Sequence, residues 1–263
     1  DRSADAAPAP ERPVTGPQGR VGQFVVECGF DRFANEDPIV HPGHHGASHL
    51  HTFFGAVNVD AASTYDELTS GDTTCDQALD TASYWAPALL DADGNPIEPI
   101  RSVAYYRAGA GIDASSVVAF PAGLQMVAGD HDASEPQPTS VVAWSCGTGA
   151  LRAVFPPDCS GAPSLRLIVT YPDCWNGTSP TAPDHTSHMA YSAGGACPSS
   201  HPVSVPQLQF AIDYPPVDPH GLSLGSGDIL TGHADFWNAW HQSKLEREVV
   251  HCIGLDVVCG VSG

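Results

Sequence analysis

A mainly β fold, a single β-sandwich-like domain with long loops, disulfides and one C-terminal helix, is what this sequence predicts. Three observations carry the expectation. Short apolar runs rich in β-branched and aromatic residues recur between turn residues. The 24 Pro and 26 Gly disfavour long helices. Eight cysteines are scattered along the chain without a CxxC pair, which favours disulfides over metal clusters.

The elements follow in order. Residues 1–19, with Pro8, Pro10, Pro13 and Pro17, read as an extended Pro/Ala-rich leader, and 20–263 as one β-rich domain. The first residue is Asp1 rather than Met, which raises the expectation of a removed signal peptide. Strand-length runs are Val21–Cys28, Thr52–Val59, Val103–Tyr106, Val117–Phe120, Val141–Cys146, Leu165–Tyr171 and Val205–Tyr214. One helix is expected over Phe236 to Val250, a stretch without Gly or Pro. Phe236, Trp240, Leu245 and Val249 recur there near helical spacing, with Asp235 as N-cap. No run approaches the roughly 20 apolar residues that span a bilayer, so no membrane insertion is expected.

The formal charge of −20 sets only Lys244 and nine arginines against thirty acids. Nucleic acid is excluded as a partner, since its phosphates would be repelled over the whole surface. Four disulfides would each contribute roughly 2–4 kcal/mol and imply an oxidising, extracellular setting. Eight cysteines allow about 105 pairings, and spacing does not choose among them.

The chemistry concentrates in histidines. Five of thirteen fall in His41-Pro-Gly-His44-His45-Gly-Ala-Ser-His49-Leu-His51. Imidazole is the commonest protein metal ligand and moves protons near neutral pH. In a strand beginning at His49, His49 and His51 share a face and Leu50 points to the core. Two later segments repeat the chemistry, Asp184-His185-Thr-Ser-His188 and His233-Ala-Asp235. All three are expected to converge on one polar site. His49, His51, His188 and His233 would hold a divalent metal, Zn or Cu. Asp184, His185 and Asp235 would be the catalytic groups, with a carboxylate fixing an imidazole's tautomer. Solvated or hydrogen-bonded structural histidines are the plainer alternative.

Other motifs carry less. Gly221-Leu-Ser223-Leu-Gly225 matches a nucleophile elbow but lies in a Gly/Ser-rich loop rather than between strand and helix. Asp91-Ala-Asp93-Gly94-Asn95 begins like a calcium loop but lacks its twelfth-position Glu, which favours a hairpin turn.

Eight ordered segments carry a family resemblance. They are Asp37-Pro-Ile-Val40, Ser48-His49-Leu-His51-Thr-Phe-Phe-Gly55, Ser83-Tyr-Trp85-Ala-Pro87, Phe120-Pro-Ala-Gly-Leu-Gln-Met-Val-Ala-Gly-Asp130, Tyr171-Pro-Asp-Cys174-Trp-Asn-Gly177, Pro183-Asp-His-Thr-Ser-His-Met-Ala-Tyr191, Cys197-Pro-Ser-Ser-His201-Pro-Val203 and His233-Ala-Asp-Phe-Trp-Asn-Ala-Trp240. Together, over about 25–259, they resemble a secreted family of fungi and actinobacteria classed as a domain of unknown function and often fused to wall-associated WSC modules. The pattern carries over onto His49, His51, Asp184, His185, His188, His201, His233 and Asp235. His41, His44 and His45 depart from it, as does His241 after Trp240, where an acidic residue is usual. The resemblance implies secretion and a wall or polysaccharide setting, and no mechanism. The expected function is a metal-dependent hydrolase or lyase acting on extracellular glycan. The alternative is a non-catalytic metal-binding or wall-binding module.

Overall fold

The computed structural model describes residues 15–16, 19–20, 22–149 and 151–260. Most of the expected leader lies outside the described residues. Thr15–Gly16 and Gly19–Arg20 form a two-residue antiparallel ladder.

The chain is mainly β, and two sheets dominate. One has six strands: β1 (Gln23–Cys28), β5 (Arg101–Arg107), β7 (Val142–Cys146), β8 (Leu165–Thr170), β9 (Gln207–Tyr214) and β11 (Val258–Cys259), in the order β7-β8-β9-β5-β1-β11. All neighbours are antiparallel except β1 and β11. The other has five: β2 (Phe30–Ala34), β3 (His51–Gly55), β4 (Ser83–Pro87), β6 (Gln125–Gly129) and β10 (His233–Trp237), in the order β2-β3-β4-β10-β6. All its neighbours are antiparallel.

The sheets pack face to face, because each strand turns alternate side chains toward its partner sheet. Phe24, Val26, Ala104, Tyr106, Leu167, Phe210 and Ile212 from the six-stranded sheet share one core with Phe54, Tyr84, Ala86, Met126, Ala234 and Phe236 from the five-stranded sheet. The Phe210 ring stacks on Tyr84 at 5.4 Å between centroids and meets Phe54 edge-on at 5.7 Å.

The five-stranded sheet is buried on its far side too. Phe53, Trp85 and Trp237 pack there against Ile39, Val59 and Leu68 from the loops that follow β2 and β3. Those loops include a one-turn helix, α1 (Tyr65–Ser70), closed by a capping box between Thr64 and Glu67. This second layer encloses polar side chains as well as apolar ones.

The C-terminal helix exists but starts later than its periodicity suggests. Residues 233–237 are strand, and α2 spans Gln242–Glu248 before widening into a π-turn over Val249–Ile253. Asp235 is therefore no N-cap; His241 stands at that position, without a side-chain cap bond. The competing period of two prevails because β4 and β6 flank 233–237 on both sides and satisfy its backbone. Val117–Phe120, expected as a strand, is irregular and follows a short 3-10 turn at Ala114–Ser116.

All eight cysteines are paired: Cys28–Cys75, Cys146–Cys159, Cys174–Cys197 and Cys252–Cys259. Among the described residues no helix is long and apolar enough to cross a membrane.

Phe210→Ala should remove about 3–5 kcal/mol of stability, because it empties the seam where both sheets meet. Urea unfolding measures this; a loss under about 1 kcal/mol would mean the sheets do not share that seam.

Candidate functional site

The far face of the five-stranded sheet gathers residues from distant parts of the chain. His51 opens β3, and His233 and Asp235 lie on β10. The registers pair His51 with Pro87 and Asp235 with Trp85. Two residues further along the antiparallel ladder, His233 comes opposite Pro87. One strand, β4, thus lies between the two histidine backbones, and its two inter-strand spacings set them roughly 9–10 Å apart. Their rings lean together above Pro87, with centroids 5.9 Å apart. His49, just before the strand, completes the group at 4.2 Å from the His51 ring and 5.0 Å from that of His233.

Local backbone fixes this convergence. The Leu50 carbonyl accepts the Ala88 N–H at 2.9 Å, which ties the His49–His51 segment to the end of β4. Gly225 packs under that same carbonyl, where a Cβ would come within 2.2 Å of the oxygen. Gly129, at φ +87°, faces His233 across the ladder, and a Cβ there would approach the His233 Cα to 2.8 Å. Leu50 itself is half-buried rather than part of the core.

Ring tautomers are set by backbone carbonyls. His51 Nδ1–H donates to the Glu36 carbonyl at 3.0 Å, and His233 Nδ1–H to that of Thr231 at 2.8 Å. A carbonyl only accepts, so both Nδ1 atoms carry the proton and both Nε2 atoms present a lone pair. The Nε2 atoms of His49 and His51 are buried with no partner. So are both carboxylate oxygens of Asp235. Buried polar atoms are nearly always hydrogen-bonded, so unpartnered polar atoms meeting at one place mark a point built for a further partner.

Two overlapping sets of ligand atoms result. His49, His51 and His233 bring three within 4.8 Å of one another, and Asp37, His51 and Asp235 bring three more. His51 belongs to both. These residues could hold a metal ion. Asp37 is partly engaged already, since its Oδ1 accepts the Ile39 and Val40 N–H groups at 2.9 Å.

Burial controls the protonation of the metal-free site. It pushes His49 down to about 4, aided by the fields of His131 and His41. It pushes His233 down to about 3, opposed by the Thr231 hydrogen bond, and holds His51 well below the usual imidazole range. Burial raises Asp37 despite its backbone hydrogen bonds. Asp235 is raised far above the carboxylate range, first by burial and then by Asp37. Neutral imidazoles and protonated acids are the forms a dry pocket favours, and a bound cation reverses the preference of the acids.

The other expected residues have separate surroundings. His188 bonds the Gln125 carbonyl through Nε2 at 2.6 Å and leaves a buried Nδ1 without a partner; its nitrogens are outside both ligand sets. Asp184 is exposed and caps a turn, accepting Ser187 N–H at 2.9 Å and Thr186 N–H at 3.2 Å, which hold its carboxyl down at about 2. His185 is half-buried, at φ +62°, on a loop whose charge reaches Asp37. His201 bonds the Ser187 carbonyl, bracing that loop, which the Cys174–Cys197 bridge closes. His44 and His45 are exposed, and His45 pairs with Glu36 at 3.1 Å. Ser223 sits in a two-residue strand beside Leu90, and Asp91 accepts the Asp93 and Asn95 N–H groups within a turn.

Asp37 and His131 stand at the cluster although residue type alone does not mark them. The His131 ring is exposed and 5.9 Å from that of His233. Asp130-His131-Asp132 has no distinctive spacing, and Asp37 looks like any turn-capping acid before proline.

The sequence profile of the family described as Domain of unknown function (DUF1996) matches residues 37–240. The chain belongs to this family. The matched span runs from Asp37 through the whole histidine and aspartate cluster to Trp240. No curated protein and no solved structure matches the chain.

A pH test follows from the buried rings. An unfolded His233 titrates near 6.5, so between there and about 3 the unfolded chain binds a proton that the folded chain does not. Stability carried by this ring is therefore lost as pH falls through that window. Asp37 and Asp235 have the opposite sign, but they are common to wild type and variant. In chelator, lowering the pH from about 7 to about 4.5 should cost His233→Gln about 2 kcal/mol less stability than wild type. Urea unfolding at both pH values reads the difference; equal losses would mean that His233 is not held neutral.

Proposed function

We propose that the protein is an extracellular, metal-dependent enzyme acting on polysaccharide or cell-wall material. His49, His51 and His233 hold one divalent ion, Zn or Cu. The observation that carries this reading is the buried meeting of their rings, with the His51 and His233 tautomers fixed so that Nε2 is bare. Hydrogen-bonded Nδ1 atoms behind metal-binding Nε2 atoms are the usual supporting arrangement of such sites. An ion bound there supplies Lewis acidity and, as zinc, a water whose pKa falls to about 7.

This chain's own groups have distinct parts. Three imidazoles suit Zn or Cu better than Mg or Ca, which prefer oxygen ligands. Asp235, with both oxygens unpartnered, takes or returns a proton at the reacting group. Its raised pKa suits a general acid in the metal-free site, and an adjacent cation shifts it toward a base. Phe53 and Trp85 form the apolar floor beneath. His185 and His131 belong to the rim, where a substrate hydroxyl would meet them. Four disulfides are compatible with an oxidising exterior, and the wall setting rests on family resemblance.

The second reading, a non-catalytic metal- or wall-binding module, is favoured by the depth of the site, since His51 is 0% and His233 3% exposed. Elemental analysis of protein purified without a histidine tag should find one equivalent of Zn or Cu, lost in His51→Ala. Asp235→Asn should keep the ion while lowering turnover of a responsive glycan by about 10²-fold or more. An ion retained with no product from any glycan in a broad panel would select the binding module. No stoichiometric ion would overturn the metal-dependent enzyme and the metal-binding module alike and leave wall binding, which retention on cell-wall material would test.

A further inference from the structure

The opposite side of the sandwich carries a second polar concavity with the reverse charge. Its floor is the outer face of the six-stranded sheet, where Tyr105 and Arg107 of β5 lie beside Gln209 of β9 and Gln23 of β1. The loop after β7 folds over it and brings Arg152, held by a bridge between Trp144 and Ala153. Arg166 of β8 closes one side. The cavity measures about 220 Å³.

The charge distribution there is unexpected. The chain has ten Lys and Arg against thirty Asp and Glu, yet three arginines and, among the described residues, no carboxylate line this cavity. Arg166 is accounted for, since it forks onto Asp213 through two contacts of 2.7 Å. Asp213 also takes Arg101, which reaches Glu27, so that end of the face is balanced. Arg107 and Arg152 have no acidic partner among the described residues; Arg152 reaches only the Gln209 amide oxygen, at 3.4 Å. Burial, then the fields of Arg107 and Arg166, hold the Arg152 guanidinium below the usual arginine range. A half-buried cation, Arg107, and an exposed one, Arg152, line one cavity and repel one another, and a molecule rich in carboxylates has left them without an acidic partner among the described residues.

We propose that this cavity binds an oxyanion, carboxylate or sulfate, carried on a hydroxylated molecule such as an acidic sugar. The paired guanidiniums of Arg107 and Arg152 supply the forked donors that such anions take. Gln23, Gln209 and the Tyr105 hydroxyl stand beside them as neutral groups for ligand hydroxyls. Arg166 Nη1 points its N–H at the Tyr105 oxygen at 3.5 Å, leaving the phenol proton for the ligand. The site lies on the other sheet from the histidine cluster and does not depend on a metal there.

Isothermal titration would compare tetragalacturonate, a sulfated disaccharide, sodium sulfate and neutral maltotetraose. One or both acidic sugars should bind saturably and the neutral one should not; the stronger of the two identifies the anion. Arg107→Gln and Arg152→Gln should each weaken that binding at least about tenfold, and Arg152→Lys less. Both Gln variants should melt at or above the wild-type temperature, because like charges are separated rather than a pair broken. Metal content at the histidine cluster should stay unchanged, which separates failure here from failure there. Absence of saturable binding by every anionic probe at millimolar concentration, or binding indifferent to both substitutions, would overturn the proposal. Sodium sulfate binding as tightly as the acidic sugars would overturn its hydroxylated part.

Discussion

Alternation along β10 governs this molecule. In His233-Ala-Asp-Phe-Trp237, Ala234 and Phe236 enter the core between the sheets, while His233, Asp235 and Trp237 face the other way. A shift of one residue would put an imidazole and a carboxylate into the apolar seam and expel Phe236. The strand is flanked by β4 on one side and β6 on the other. Its register is therefore held by backbone hydrogen bonds along both edges as well as by burial. One strand thus both holds the sandwich and carries the polar cluster.

The cluster sets polar burial against stability. Enclosing three imidazoles and two acids beneath loops carries a desolvation cost, and their shifts follow it: the imidazoles are pushed down and the carboxyls up. Hydrogen bonds from two Nδ1 atoms to backbone carbonyls offset part of that cost and fix orientation at once. The remaining orphaned atoms, Asp235 foremost, have no structural explanation within the protein. Selection for stability alone would replace them with apolar side chains of similar volume.

The sandwich divides its two outer faces by charge. One carries lone pairs and acids, suited to a cation. The other carries Arg107 and Arg152 with no acidic partner among the described residues, in a chain where acids outnumber bases three to one. Each face is roofed by loops rather than left as open sheet, so both concavities are partly dry and their electrostatics are less screened by solvent.

Much was legible in the residues themselves. Runs of β-branched and aromatic residues marked strands because alternating burial demands them, and β1, β5, β7, β8 and β9 lie where those runs do. The cysteines foretold disulfides, though partners up to 47 positions apart could be chosen only in space. His49 and His51 announced themselves by proximity. His233 and Asp235 were flagged by chemistry but set at the edge of a helix, because Phe236 and Trp240 fit a period near four as well as the strand's period of two. Only pairing with β4 and β6 could decide between them. The sequence by itself determined which side chains could bind a cation, since that follows from residue type. Tertiary structure decided which of them meet, and that Asp37 joins them while Asp184 caps an exposed turn, since convergence depends on strand register and on loops closing over a sheet face.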